Sequence, residues 1–551
     1  MVKLIKKSIE LILRPQNGIF SAATIIMIAV ASSRILGLLR DRMLAARFTP
    51  DQLGVYQAAF RLPNLVFELL VMGVLSTAFI PVFTSLVEKG RKKDAFRMAS
   101  IVINVGIAVF TVSSIVIFIF SHPICRFLAP GFNDAQINEM VSYTRIMLFA
   151  QVFPLILGNF FTGMLQSFRN FLIPAIAPIV YNIGIIIGII FLVPSYGLYG
   201  PVFGVVIGAV FFVLIQIPLV IGMHGYRHTL DTDLNAEGVK EVGKLMLPRT
   251  IGLGIAQIDT TVDLMLSTLL GASAVTIFTF AQHLQQVPIG LFGASLSQAA
   301  LPTLSATWSK DNVDEYKRVF LNAFHQILFL VVPMSAILIV LRIPAVRLVF
   351  GAGRFDWMAT VLTGQTVAYF SVSLFAQSLI HLIARAFFAI HDSKTPVIIG
   401  GITVLLNTVL SILFIMVFKM PVWSLALSTS IASIINATLL LILLDRLVKG
   451  FSRIDLFVPA IKIFLAGIVT GFALYIPIKL LDQLVFDTTR TFSLFMLTSV
   501  STLIGLGVYL LLAWFLDIPQ VFQIIQILNR TKNLRRGLLV ETTQEVVDVP
   551  K

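Results

Sequence analysis

Three arginines and two carboxylates stand where this sequence is otherwise apolar. The run SRILGLLRD, residues 33–41, places Arg34, Arg40 and Asp41 inside a long hydrophobic stretch. Arg34 and Asp41 are seven apart and share a helical face, and Gly37 between them permits a bend or a close helix approach. In the next apolar stretch Gln57, Arg61, Asn64 and Glu68 fall at i, i+4, i+7 and i+11, one polar stripe on an apolar helix. Arginine keeps its charge and grips phosphate oxygens through paired N–H bonds. The chemistry on offer is therefore capture of an anion, above all a phosphate or pyrophosphate. The competing reading is Arg–Asp and Arg–Glu pairing that only fixes helix packing. Three arginines against two acids leave positive charge over, which favours the anion site.

A second polar set lies further along. Arg249, Gly252, Ala256, Asp259 and Asp263 form a heptad-like stripe, and Gln282, His283, Gln285 and Gln286 crowd the stretch after it. Gln377, His381 and Arg385 recur at fourfold spacing; Asn407 and Ser411, then Ser428 and Thr429, follow. Oxygen ligands around an acid suit a hard monovalent cation, and an acid near a histidine can relay protons. The alternative is polar glue between helices, at about 0.6 kcal/mol per contact.

Composition sets the elements that must hold these residues. Of 551 residues, 57% are hydrophobic and 12% charged, against about 45–50% and about 25% in soluble domains. A soluble enzyme is excluded, and an all-α polytopic membrane protein is expected. A span needs roughly 20 apolar residues. About fourteen can be read by this criterion, near 19–47, 54–87, 95–121, 137–166, 172–194, 198–223, 243–270, 275–307, 316–343, 357–390, 395–418, 421–444, 456–481 and 491–517.

Most of the +14 surplus sits in alternate connections, such as Lys89 to Lys93, Lys310 to Arg318, and Arg446 to Arg453. The positive-inside rule then puts both termini in the cytoplasm, with 344–357 a weakly contrary loop. The surplus sets topology and gives no argument for nucleic acid. Residues 2–14 alternate Val2, Ile5, Ile9 and Ile12 with Lys3, Lys6, Lys7, Glu10 and Arg14, the pattern of an interfacial amphipathic helix. A lone cysteine, Cys125, excludes an internal disulfide, and there is no HExxH and no phosphate-loop motif. The short connections carry no catalytic cluster, so a transporter is expected and an enzyme is not.

Pro81 in STAFIPVFTSL and Pro302 in SQAALPTLSAT are 221 apart, and Pro174 and Pro396 are 222 apart. At that offset Asp41 falls on Asp263. Two six-helix lobes, 19–223 and 224–444, then enter the membrane in the same orientation. Two C-terminal helices lie in 445–520, the interfacial helix in 1–18 and a cytoplasmic tail in 521–551.

The strings SRILGLLRD, AAFRLPNL (58–65) and STAFIPVF (76–83) resemble the MurJ (MviN) lipid II flippases of the MOP exporter superfamily. APGF (129–132), IPAIAP (173–178), ALPTLS (300–305) and DSKTP (392–396) extend the resemblance over about residues 19–520. It implies fourteen transmembrane helices, two lobes around a cationic cavity, and a hydrophobic groove on the last two helices. It implies transfer of lipid II, the undecaprenyl-pyrophosphate-linked peptidoglycan precursor, from the inner to the outer leaflet of the cytoplasmic membrane for cell-wall synthesis. The protein would be a monomer among membrane lipids, serving the peptidoglycan synthesis machinery, with no cofactor beyond sodium or a proton as coupling ion.

By the same resemblance Arg34 and Arg40 are cavity arginines and Asp41 the acid after them. Asp263, Asn407 and Thr429 match the family's sodium site, with Ser411 where an acid or amide is usual. His283 stands where the family has an arginine, and joins Arg61, Asn64, Glu68 and Arg249 as a candidate headgroup contact. Other departures are Gly54 for an acid, Phe67 for an arginine, and Met72, before Gly73, for a glutamate. Two alternatives stay open: a flippase for another polyprenyl-linked oligosaccharide, and a cation-coupled drug exporter of the same superfamily. The exporter's cavity should be acidic or aromatic.

Overall fold

The structure, a computed structural model, describes residues 19–69, 78–150, 152–223, 225–484 and 490–522. The helix expected over 1–18, the Met72–Gly73 pair and nearly all of the tail lie outside the described residues. Every regular element among the described residues is helical. Inside hydrocarbon no water can satisfy the backbone, so each crossing segment must bond to itself. Nine of the described helices are long and apolar enough to cross a membrane, and eleven spans result when two bent pairs are each taken as one. Each of the eleven falls on one of the expected spans. The other three expected spans correspond to Ile19–Arg47, to the segment 50–88 and to Val239–Leu269, which include residues or side chains outside the description.

Local chemistry sets the boundaries. Thr49 opens Pro50–Ala59 with a capping box: its hydroxyl accepts from the Gln52 N–H at 3.4 Å, and the Gln52 side chain accepts from the Thr49 N–H at 3.1 Å. Pro50 at the first helical position gives up an N–H that would have lacked a partner anyway. Asn312 caps Val313–Val340 in the same manner, accepting from Glu315 N at 3.1 Å. Wider π-turns interrupt helical runs at Gly188–Leu192 and Ile289–Ala294 and form the last turns at Pro218–Met223 and Leu413–Val417.

The chain forms two compact units. The first comprises Met1–Leu284, Val349–Thr366 and Gly401–Thr429. Its core is rich in aromatic edges, with Phe79 against Phe160 at 5.2 Å, Phe83 against Phe168 at 5.7 Å and Phe96 against Tyr226 at 5.4 Å. The helix Leu172–Ile187 packs on one side against Ile19–Arg47 and on the other against Tyr199–Leu214. On the second side backbones meet directly, since Gly184 and Gly188 face Gly208 and Gly204. A Cβ added at Gly188 would stand 2.6 Å from the Gly200 carbonyl oxygen. Small residues of this kind let membrane helices gain contact where no hydrophobic force drives them together. By contrast, a Cβ at Gly37 would meet nothing within 4 Å, so the close approach expected there does not occur.

The second unit comprises Gln285–Leu348, Val367–Gly400 and Ser430–Lys551. Tyr316, Phe320, Phe387 and Tyr509 are fully buried in its core. Each buried phenol finds a carbonyl: Tyr316 donates to Ala386 O and Tyr509 to Phe329 O, both at 2.8 Å. The last two helices, Arg453–Leu484 and Thr491–Phe515, pack on each other and on Val313–Val340. Their outer faces expose Phe472, Leu503 and Phe515, as a lipid-facing surface should.

Replacing Gly188 by Leu is expected to cost on the order of 1–3 kcal/mol through overpacking, read as a lower unfolding temperature of the purified protein in detergent. Gly37→Ala, made in open space, should leave that temperature the same or higher.

Candidate functional site

The polar interior of the first unit is built around one carboxylate. Asp41, near the end of Ile19–Arg47, is 3% exposed. Its Oδ1 accepts from Arg40 Nε at 3.0 Å and Nη2 at 2.8 Å, and its Oδ2 accepts from His283 Nδ1 at 2.7 Å. Arg40 Nη1 reaches across to Asn182 Oδ1 at 3.2 Å. Asn182 is itself anchored, donating to Pro178 O at 3.1 Å and to Ser33 Oγ at 3.3 Å. Residues far apart in sequence, 41, 182 and 283, thus meet at one point.

Arg61 is held differently. It is 8% exposed, and its bonds go to neutral oxygens: Nε donates to Thr261 Oγ1 at 3.0 Å and Nη2 to Gln257 O at 2.6 Å. No salt bridge among the described residues includes it. The acid on its own stripe, Glu68, accepts instead from the Gln257 side-chain amide. The Arg–Glu pairing considered from sequence is therefore not made by Arg61 and Glu68, while the Arg–Asp pairing is made by Arg40 and Asp41.

These groups line a cavity of about 380 Å³, within the size range of small-molecule sites. Arg40, Asp41, Tyr56, Arg61, Tyr181 and His283 are on its wall, and Gln57, Asn64 and Gln282 add amides. Arg34 is exposed, does not line the cavity and makes no polar contact among the described residues. Glu68 is half-buried away from the cavity wall. Arg249 belongs to Val239–Leu269, and its side chain lies outside the described residues. Tyr56, Tyr181, Asn182 and Thr261 were not singled out from sequence. The signal for Asn182 was present: an amide amid the apolar run IPAIAPIVYNIGIII.

The second polar set also draws together. Asn407 Nδ2 donates to Asp259 Oδ1 at 2.9 Å and stands against Asp263, which is 4% exposed. Asp263 Oδ1 and Asn407 Oδ1 are buried with no hydrogen-bond partner among the described residues. Ser411 and Ser428 share a hydrogen bond at 2.6 Å, and Thr429 donates to Leu425 O at 2.8 Å. Asp259 and Ser428 thus join the expected set of Asp263, Asn407, Ser411 and Thr429. His381 and Arg385 belong to the second unit.

One departure from the family pattern has a packing cause. A Cβ added at Gly54 would overlap the carbonyl of Ala272. The start of Ala272–Pro288 is tied down beside it, with Thr276 Oγ1 donating to Pro50 O at 2.6 Å and Ser273 N to Asp51 Oδ1 at 3.0 Å. No acid has room at position 54.

The family profile described as lipid II flippase MurJ matches residues 45–503. The probable lipid II flippase MurJ of Bdellovibrio bacteriovorus is 26% identical over 515 residues, covering 92% of this chain and 97% of that protein. Among solved structures, lipid II flippase MurJ in an inward closed conformation aligns with a TM-score of 0.74 at 25% identity, covering 89% of this chain and 98% of its own. An inward-facing multidrug resistance MATE transporter of the MOP superfamily aligns at 0.64 and 13% identity, covering 77% and 98%, and shares the fold. A multi-pass helical membrane protein whose sequence follows this profile over most of its length belongs to the lipid II flippase MurJ family.

Proposed function

We propose that this chain carries lipid II from the inner to the outer leaflet of the cytoplasmic membrane by alternating access, supplying the peptidoglycan synthesis machinery. The observation that carries this reading is Arg61: a buried guanidinium on the cavity wall, whose hydrogen-bond acceptors among the described residues are all neutral oxygens. One arginine at mid-span costs about 2.5–3.5 kcal/mol on insertion scales. An arriving pyrophosphate offsets that cost by accepting charge-assisted bonds from Arg61 and from Arg40. Asn64 and Gln282 suit headgroup hydroxyls and amides, Arg34, which makes no polar contact among the described residues, suits the approach, and Glu68 and Arg249 are headgroup candidates by the family resemblance.

The lipid tail stays in hydrocarbon, along the last two helices, while the two lobes rock to turn the headgroup outward. An interior-negative potential favours this by about 2.3 kcal/mol per charge per 100 mV. The positive connections keep both termini in the cytoplasm. The chain works as a monomeric transporter without covalent chemistry. An arginine-lined cavity disfavours a cationic drug as cargo, and it leaves another polyprenyl-pyrophosphate oligosaccharide as the competing substrate.

Asp263, with Asn407, Ser411 and Thr429, would hold the coupling ion, sodium or a proton. Support comes from the two buried acceptors without partners, Asp263 Oδ1 and Asn407 Oδ1, beside the second acid Asp259. When bound, the ion supplies the positive charge that lets two acids stand together.

In liposomes holding the full chain and lipid II, Arg40→Ala and Arg61→Ala should each slow flipping at least about tenfold, as loss of a charged hydrogen bond worth about 1.5–3 kcal/mol implies. Wild-type rates from folded variants would refute the cavity. Arg34→Ala in the same assay measures how far the site extends. Separately, sodium in place of potassium should speed flipping by the wild type and not by Asp263→Ala. Equal rates in both salts for both proteins would remove the sodium assignment.

A further inference from the structure

His283 differs in kind from the arginines beside it, because an imidazole can exist with or without a proton on each ring nitrogen, whereas a guanidinium keeps its charge. Asp41 accepts from its Nδ1 at 2.7 Å, so the Nδ1 proton is committed to that bond and the tautomer is set. The other ring nitrogen, Nε2, has no hydrogen-bond partner among the described residues, and the side chain lines the cavity at 36% exposure. Neutral Nε2 offers a lone pair, which an anion cannot use. Protonated Nε2 offers an N–H donor and a full charge.

The charged and titratable groups that share the cavity wall with His283 come from three directions. Arg40 and Asp41 lie on Ile19–Arg47, Tyr56 and Arg61 on the two short helices that follow, and Tyr181 on Leu172–Ile187. Among the described residues Asp41 is the only acid on that wall, and it already accepts from Arg40. Tyrosine and arginine side chains ordinarily hold their charge state between about pH 6 and 8. Among the described residues on that wall, the imidazole is therefore the group with a free ring nitrogen that can accept a proton.

We propose that His283 is a proton-dependent ligand of the transported anion: Asp41 holds its Nδ1–H, and Nε2 takes a proton from solvent and donates it in a hydrogen bond to the pyrophosphate. This rests on the reading of the cavity as a pyrophosphate site. Linkage makes the coupling mutual, so the anion raises the proton's affinity by the factor by which the proton raises the anion's. When the anion leaves, Nε2 returns its proton to solvent.

The test measures the affinity of the full chain in nanodiscs for lipid II at pH 6, 7 and 8. The pyrophosphate diester of that lipid keeps its charge over this range. For the wild type, affinity should fall by up to about tenfold per pH unit once the imidazole is neutral. A weakly buffered indicator-dye assay at the alkaline end should show uptake approaching about one proton per lipid bound. His283→Arg should bind with less than about twofold variation across the range, and His283→Gln should bind weakly and as flatly. Equal wild-type affinity at all three pH values, or a wild-type slope retained by His283→Gln, overturns the proposal and leaves the cavity reading standing. Failure of the wild type to bind lipid II at any pH overturns both.

Discussion

The bond from which the rest of the polar interior follows is the two-sided engagement of Asp41. Both of its oxygens are used, one by Arg40 and one by His283, and Arg40 passes the contact on to Asn182. In hydrocarbon each unmet polar group costs several kcal/mol. A chain that keeps an arginine there must also keep the groups that answer it, and here they arrive from three different spans. One acid shared by an arginine and a histidine does not neutralise the cavity wall, because Arg61 stands on the same wall and its hydrogen-bond acceptors among the described residues are neutral. The bonds from this helix to Asn182 and His283 tie three helices together, and the excess charge is left to meet a ligand.

The internal repeat gains meaning from these contacts. In the first half, the first and fifth spans are joined through Arg40 and Asn182. In the second half, the seventh and eleventh spans are joined through Asp259 and Asn407. The same pair of spans is bridged through an asparagine each time, and Asp41 and Asp263 are 222 apart. The chemistry has diverged on that common frame. The first bridge leaves positive charge facing a cavity; the second sets two acids around one amide and leaves buried acceptors unmet. One duplicated packing scheme thus yields a place for an anion and a place suited to a cation.

How much of this could be read from sequence depended on distance along the chain. The spans were legible because the bilayer demands runs of about 20 apolar residues. Arg40, Asp41, Arg61, Asn64 and His283 were legible as polar residues out of place, and all five line the cavity. Arg34 was grouped with Asp41 by helical face, yet seven residues are roughly 10 Å along a helix axis at about 1.5 Å each. The two share a face and differ in depth. The same seven-residue offset separates Arg61 from Glu68, which is why Gln257 and Thr261, some two hundred positions away, supply their partners. Such long-range partners leave no periodic trace.

The departures from the family pattern are also not independent of one another. Gly54 lets the helix Ala272–Pro288 begin in backbone contact with Pro50–Ala59, and two hydrogen bonds hold it there. His283 lies eleven residues beyond Ala272, close to three full turns at 3.6 residues per turn, so it projects from nearly the same face. That face carries the imidazole to Asp41 at 2.7 Å. An imidazole is shorter than a guanidinium on its three-carbon stem, so it reaches an acid on another helix only where the helices stand close. A side chain at position 54 would push the helix start away from its neighbour, and the ring with it. The missing acid at 54 and the histidine at 283 are two parts of one packing solution, with the close approach at the first making the short reach at the second sufficient.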